Sequence, residues 1–163
     1  MGIRNAAKAL IVCENKILLN KNKNTLSDFS YGLPNGAIYY DLPGGGQHPY
    51  ETLEEAVIRE CLEETGYDVK IDRLAAIYEE ISMNEKFRSS YEEYAHKVHF
   101  AFICHLSSKD IHPVTVKDLD FMNSEWFDLE EVKNINLYPT ILHKNVEIIL
   151  HSKNIVYLGA EFV

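Results

Sequence analysis

With 163 residues, 46% of them hydrophobic, the chain can bury one core and is too short for two ordinary domains, so residues 1–163 read as a single domain. A formal net charge of −9 argues against duplex nucleic acid as the main partner, because that role needs a basic footprint. Cys13, Cys61 and Cys104 are odd in number and form no Cys-x-x-Cys pair, so neither a disulfide framework nor a zinc ribbon is expected and a reducing cytoplasm fits best.

Two apolar runs, 6–12 and 16–19, flank Glu14-Asn15 and predict a β-hairpin. Lys8 interrupts the first run and Glu14 follows it, which is unlike the core of a signal peptide, and no apolar stretch approaches the ~20 residues of a membrane span. Residues 21–36 are polar with scattered Phe29, Tyr31, Gly32 and Pro34, hence a long loop. Two readings stay open: an ordinary surface excursion, or a border of a ligand site with Phe29 or Tyr31 available to stack on a base. Residues 38–42, with Tyr39 and Tyr40, form an extended segment that Pro43 delivers to the triplet Gly44-Gly45-Gly46.

Thr52 followed by Glu55 is a capping-box signature, and Gly66 is suited to close a helix in the left-handed conformation. The spacing predicts a helix from Leu53 to Thr65. At about 100° per residue Glu60 and Glu64 project within about 40° of each other, with Glu63 beside them. Ile58 and Leu62, with Val57 and Cys61 nearby, form the expected core-facing arc. Three like charges at these spacings repel unless a cation sits between them. A divalent metal answers that need, since hard cations prefer clustered oxygens; a solvated acidic face is the plainer alternative. A glycine triplet alone is only a turn, but a glycine loop, a helix and a carboxylate face in one unit are harder to explain as punctuation.

Beyond the helix, 69–71 and 74–81 predict strand segments, 84–93 a charged loop, and the alternation from Val98 to Leu106 the clearest strand. His96, His99 and His105 lie in or near that strand, spaced too widely to share a metal, and read as solvated. A connecting segment follows, then Trp126-Phe127 as a short strand, a helical turn at 128–132 and a last helix opened by Pro139 in its first turn. Ile141, Leu142, Ile148 and Ile149 give that helix its apolar face, and 155–158 predict a terminal strand. Strands interleaved with helices indicate an α/β fold, a mixed sheet covered on both faces.

Gly45, five residues, Glu51, seven residues, Arg59-Glu60, an apolar position, any residue, Glu63-Glu64, any residue, Gly66 and an apolar position resemble the Nudix box of the MutT-like hydrolases. The match runs from Gly45 to Tyr67 and keeps every invariant position. Cys61 stands where an aliphatic residue is usual, and Tyr67 closes the motif; both pack acceptably. The resemblance implies an α/β/α sandwich and hydrolysis of a pyrophosphate bond in a nucleoside diphosphate linked to a group X. By motif position, Glu60, Glu63 and Glu64 resemble the family's metal-binding glutamates, with the Gly44 carbonyl as a backbone ligand and Mg²⁺, or Mn²⁺ in its place, as the ion. Glu64, with Glu63, is the first choice for catalysis; Asp120 and Glu125 are weaker candidates for a general base. Glu51 and Arg59 resemble the pair tying loop to helix, and Gly45 and Gly66 support the site. Glu55 is spaced equally well for Arg59, and the two acids remain alternatives.

The substrate-specific features of relatives are not matched: Ser82-Met83-Asn84 stand where ADP-sugar hydrolases tend to have a proline, and Tyr78 is early for the dinucleoside polyphosphate enzymes. Elimination leaves a nucleoside triphosphate as the expected substrate. A nucleotide-sensing module without catalysis and an RNA 5′-end pyrophosphohydrolase are the rival readings. The first is disfavoured by the intact glutamates, the second by the acidic charge. Homodimers are common in the family.

Overall fold

Glu14 and Asn15 both take left-handed backbone angles, with φ of 49° and 64°, as a two-residue hairpin turn requires. They join β1 (Arg4–Cys13) to β2 (Lys16–Lys23), which pair antiparallel around that turn. The structure is a computed structural model and describes residues 2–25, 32–116 and 118–163. Phe29 and Tyr31 therefore lie outside the described residues. The long loop begins later than its composition suggests, because residues 21–23 extend β2 and pair with β3 (Ile38–Asp41).

The remaining strands are β4 (Gly44–Gly46), β5 (Val69–Ile81), β6 (His96–Leu106), β7 (Phe121–Asp128) and β8 (Val156–Phe162). Their order is β3-β2-β1-β6-β5-β8, with β4 on β1 and β7 on β2. The β1–β6 and β5–β8 pairs are parallel and the others antiparallel, so the sheet is mixed. The two segments expected at 69–71 and 74–81 are one strand, whose register shifts at Ile71/Arg73 and Leu74/Ala76 break its alternation.

Alternation along β1 divides the core. Ala7, Ala9 and Ile11 meet Phe102 and Cys104 under α1 (Leu53–Thr65). Leu10 turns the other way with Ile103 and Ala76, beneath α3 (Thr140–His143) and α4 (Val146–His151). Helices on both faces make this an α/β/α sandwich. The cap of α1 has the expected form: Thr52 and Glu55 exchange side-chain and backbone hydrogen bonds, and Gly66 closes the helix at φ 73°.

Several expectations change. Ala56, Val57, Cys61 and Thr65 are the buried residues of α1, whereas Ile58 is 39% exposed. The helix lies on the small residues Ala7 and Ala9, which turns its buried arc toward the glutamates. Glu64, seven residues beyond Val57, projects within about 20° of it and so points at the sheet. Residues 84–93 are mostly helical rather than a loop, with a short helix α2 (Glu85–Ser90) capped by the Asn84 side chain, whose Oδ1 accepts from the Lys86 and Phe87 N–H groups. Pro139 stands at the N-cap rather than inside the last helix, and that helix is broken where the Asn145 side chain donates to the Ile141 carbonyl. Ile148 faces outward. His99 is buried rather than solvated, stacked on Tyr78 at 4.7 Å between centroids.

Candidate active site

Gly44–Gly46 is a short strand, not a free loop, because Gly44, Gly45 and Gly46 pair with Lys8, Ala7 and Ala6 of β1. Side chains would not fit there. Gly44 has φ 130°, and a Cβ on it would collide with the Ala7 carbonyl; one on Gly45 would lie 2.6 Å from Glu60 Oε1. The bare backbone of β4 lets α1 bring its carboxylates against the sheet.

Arg59 organises one side of this contact. Its Nε and Nη2 donate to the two oxygens of Glu51 at 2.7 and 3.0 Å, a bidentate pair. Nη1 donates to Glu60 at 2.8 Å and reaches Glu63 at 3.4 Å, while Nη2 also meets the Gly46 carbonyl at 3.1 Å. The Arg59 hydrogen bond holds Glu51 down to about 2, and the acids in turn raise the Arg59 pKa. Of the two acids open to Arg59 on spacing, Glu51 takes it, and Glu55 turns back to Thr52. Glu63 is more open than Glu60, at 43% exposure against 15%.

Glu64 is held apart from that network. Its Oε2 accepts from Asn20 Nδ2 at 2.7 Å and from the Gly44 N–H at 2.8 Å. Burial pushes its carboxyl up to about 7, against the pull of nearby Lys8 and with a further rise from Asp41. Ser124 donates to Asn20 Oδ1 at 2.8 Å and so orients the amide that holds Glu64.

Lys8 approaches from the opposite face. Its ammonium donates to the Gly44 carbonyl at 2.6 Å and the Leu42 carbonyl at 3.1 Å, and lies 3.5 Å from Asp41. Loss of water opposes its charge, but Asp41, Glu64 and Glu60 outweigh that and raise its pKa. Loss of water likewise raises Asp41, while Lys8 and an Asn22 hydrogen bond of 2.9 Å counter the shift.

The oxygen-rich donor set of Glu60, Glu63, Glu64 and the Gly44 carbonyl suits a hard divalent cation, and the space a Gly45 Cβ would fill belongs to Glu60. Among the described residues, no three His, Cys, Asp or Glu side chains converge as a finished cage. Glu60 and Glu63 lean on Arg59, and Glu64 leans on Asn20 and Gly44. The two downstream acids are engaged elsewhere: Glu125 pairs with Lys21 at 2.9 Å, and Asp120 accepts from Thr25. Tyr78 is core, and Trp126 packs beside α1 against Tyr67. A cleft of about 660 Å³ between the 129–133 segment and α4 lies apart from the glutamates.

Sequence reasoning passed over Lys8, Asn20, Asp41 and Ser124. Lys8 carried a signal, a lone charge in the apolar run of a central strand. The others had none, since only pairing across β2, β3 and β7 brings them to Glu64 and Gly44.

A NUDIX domain model matches residues 3–146. The chain belongs to the Nudix family. A Nudix hydrolase from Nitrosomonas europaea superposes with a TM-score of 0.68 at 22% identity, covering 92% of this chain and 89% of that one. An ADP-ribose pyrophosphatase from Streptococcus suis gives 0.60 at 22% identity, with 98% and 100% covered. These likenesses support the sandwich fold. In sequence, an ADP-ribose pyrophosphatase of Methanocaldococcus jannaschii is 38% identical over 73 residues, 45% of this chain and 38% of that protein. A Bacillus subtilis protein, provisionally named an 8-oxo-dGTP diphosphatase, is 38% identical over 63 residues, 39% of this chain and 40% of its own. The matched segments thus span about two fifths of these curated relatives. No helix among the described residues of this Nudix protein is long and apolar enough to cross a membrane.

Proposed function

We propose that the protein is a divalent-cation-dependent Nudix pyrophosphohydrolase that cleaves the diphosphate of a small nucleotide, with Glu60, Glu63, Glu64 and the Gly44 carbonyl as the metal-binding set. The observation that carries this reading is the position of Glu64, a carboxylate drawn out of water against the glycine strand and held there through one oxygen by Asn20 and the Gly44 N–H. Mg²⁺ is the expected ion and Mn²⁺ its substitute; such a cation, when bound, neutralises phosphate oxygens and makes its water a better nucleophile.

The chain's own residues divide the remaining work. Arg59, anchored on Glu51, holds α1 to β4 and keeps Glu60 beside Gly45. Asn20, backed by Ser124, orients Glu64 to receive a proton from attacking water, and Glu63 stands nearest to solvent where substrate enters. A nucleoside triphosphate remains the favoured substrate from the sequence. The two curated relatives divide between a nucleoside triphosphate and ADP-ribose, so both classes belong in the test.

The test is product analysis with Mg²⁺ across nucleoside triphosphates, ADP-ribose, dinucleoside polyphosphates and sugar nucleotides, with Glu64→Gln as control. Cleavage within the diphosphate, lost in the control, is the expected result. Nucleotide binding without turnover of any compound would instead favour a sensing module, and release of diphosphate from triphosphorylated RNA the 5′-end reading.

A further inference from the structure

We infer that Lys8 is a resident counter-cation of this site, bound to the Gly44 carbonyl and balancing Glu64, and that its charge sets how weakly the site takes a divalent cation. The inference rests on the metal-binding reading above. Three observations lead to it.

The Gly44 peptide is gripped from both ends: its N–H donates to Glu64 at 2.8 Å, and its carbonyl accepts from Lys8 at 2.6 Å. A single peptide thus joins the carboxylate proposed to bind metal to a largely covered ammonium, its side chain 13% exposed. Lys8 also spends its other donors on protein, with Leu42 at 3.1 Å and Asp41 at 3.5 Å, so it is a built element rather than a loose surface charge. Finally, the site's anions already have cations. Arg59 pairs with Glu60 and Glu63, and Lys8, joined to Glu64 through the Gly44 peptide, is a positive charge that favours the Glu64 carboxylate.

The two cations differ in what else holds them. Arg59 is locked bidentately on Glu51 and supports the fold, whereas among the described residues the carboxylate in ion-pair contact with Lys8 is Asp41, at the longer 3.5 Å. Strand alternation brings Lys8 in from the face opposite α1, alongside Leu10 rather than Ala7 and Ala9. An entering divalent cation would share the Gly44 carbonyl with Lys8 and meet its like charge in a poorly hydrated setting, where such repulsion is strong. The sign of the effect separates this role from a structural one. A clamp that merely shaped the Gly44 carbonyl would weaken metal binding when removed; a competing charge would strengthen it.

The experiment is titration of the purified full chain with Mn²⁺, following free Mn²⁺ by electron paramagnetic resonance, for wild type, Lys8→Met and Lys8→Gln. Circular dichroism melts report whether each variant folds. Both variants are expected to bind Mn²⁺ at least about tenfold more tightly, Lys8→Gln included because it keeps a donor for Gly44 and loses only the charge. Unchanged or weaker binding in a folded variant overturns the inference while leaving the metal site intact. Loss of folding in both variants assigns Lys8 to the fold and also overturns it. Absence of Mn²⁺ binding in wild type and variants alike overturns the metal-binding reading with it.

Discussion

The two sides of the glycine strand are built differently. On the α1 side a single cation, Arg59, pairs with Glu51, Glu60 and Glu63. On the far side Lys8 leans mainly on carbonyl oxygens, and farther along the same face His99 is buried with neither ring nitrogen hydrogen-bonded among the described residues. The first side is a satisfied network that fixes geometry. The second leaves polar groups under tension in a dry setting, where burial lowers the His99 pKa to about 3 despite Glu80 at 3.8 Å.

Breaking the satisfied side should cost most. Arg59→Met leaves Glu51, Glu60 and the Gly46 carbonyl without their donor, and a loss of roughly 1.5–3 kcal/mol is expected in denaturant unfolding. The Glu51 part of that effect has a defined pH range. Its carboxyl titrates near 2 when folded against 4.5 as a free group, so its stabilisation is complete above 4.5 and fades as pH falls toward 2. The stability gap between wild type and Glu51→Gln should close over that interval.

Gly45→Ala probes where the two sides meet. The new methyl would press on the flexible end of Glu60, so stability should fall by less than about 1 kcal/mol while turnover drops by about a hundredfold. Equal losses in both would mean that Gly45 serves the fold alone.

On the far side, His99→Phe should stabilise the protein by about 1–3 kcal/mol, because two unsatisfied nitrogens leave a dry stack. The sign with pH follows from linkage. The unfolded chain binds a proton at 6.5 that the folded His99 refuses until about 3, so wild-type stability falls as pH drops below 6.5. The advantage of the variant should therefore grow between pH 7 and pH 4 in thermal melts. The smallest effect belongs to the helix cap: Thr52→Ala should cost about 1 kcal/mol by freeing the Glu55 N–H.

The same contrast governs what could be read in advance. The α1 side is local in sequence: the capping box, Gly66, the box glutamates and the Glu51–Arg59 pair lie within 22 positions of Gly45, and helical spacing sets their geometry. Its orientation was not legible, because the Ala7 and Ala9 surface that turns Ile58 outward and Glu64 inward is supplied by β1. The far side joins β1, β3, β5 and β6, and its contacts depend on sheet order. His99 reads as solvated until Tyr78 is known to lie opposite it in β5, and Lys8 as an interruption until β4 is paired beside it. Tertiary pairing also made a strand of the glycine triplet, which local chemistry reads as a turn.

The central claim is that Glu64 serves a metal-assisted cleavage of a nucleotide diphosphate. The measurement that addresses it most directly is chromatographic product analysis of wild type and Glu64→Gln, side by side, with Mg²⁺ and the nucleotide panel. Products cut within the diphosphate are expected, with turnover at least about a hundredfold lower in a variant that melts near the wild-type temperature. Turnover preserved in folded Glu64→Gln would contradict the claim.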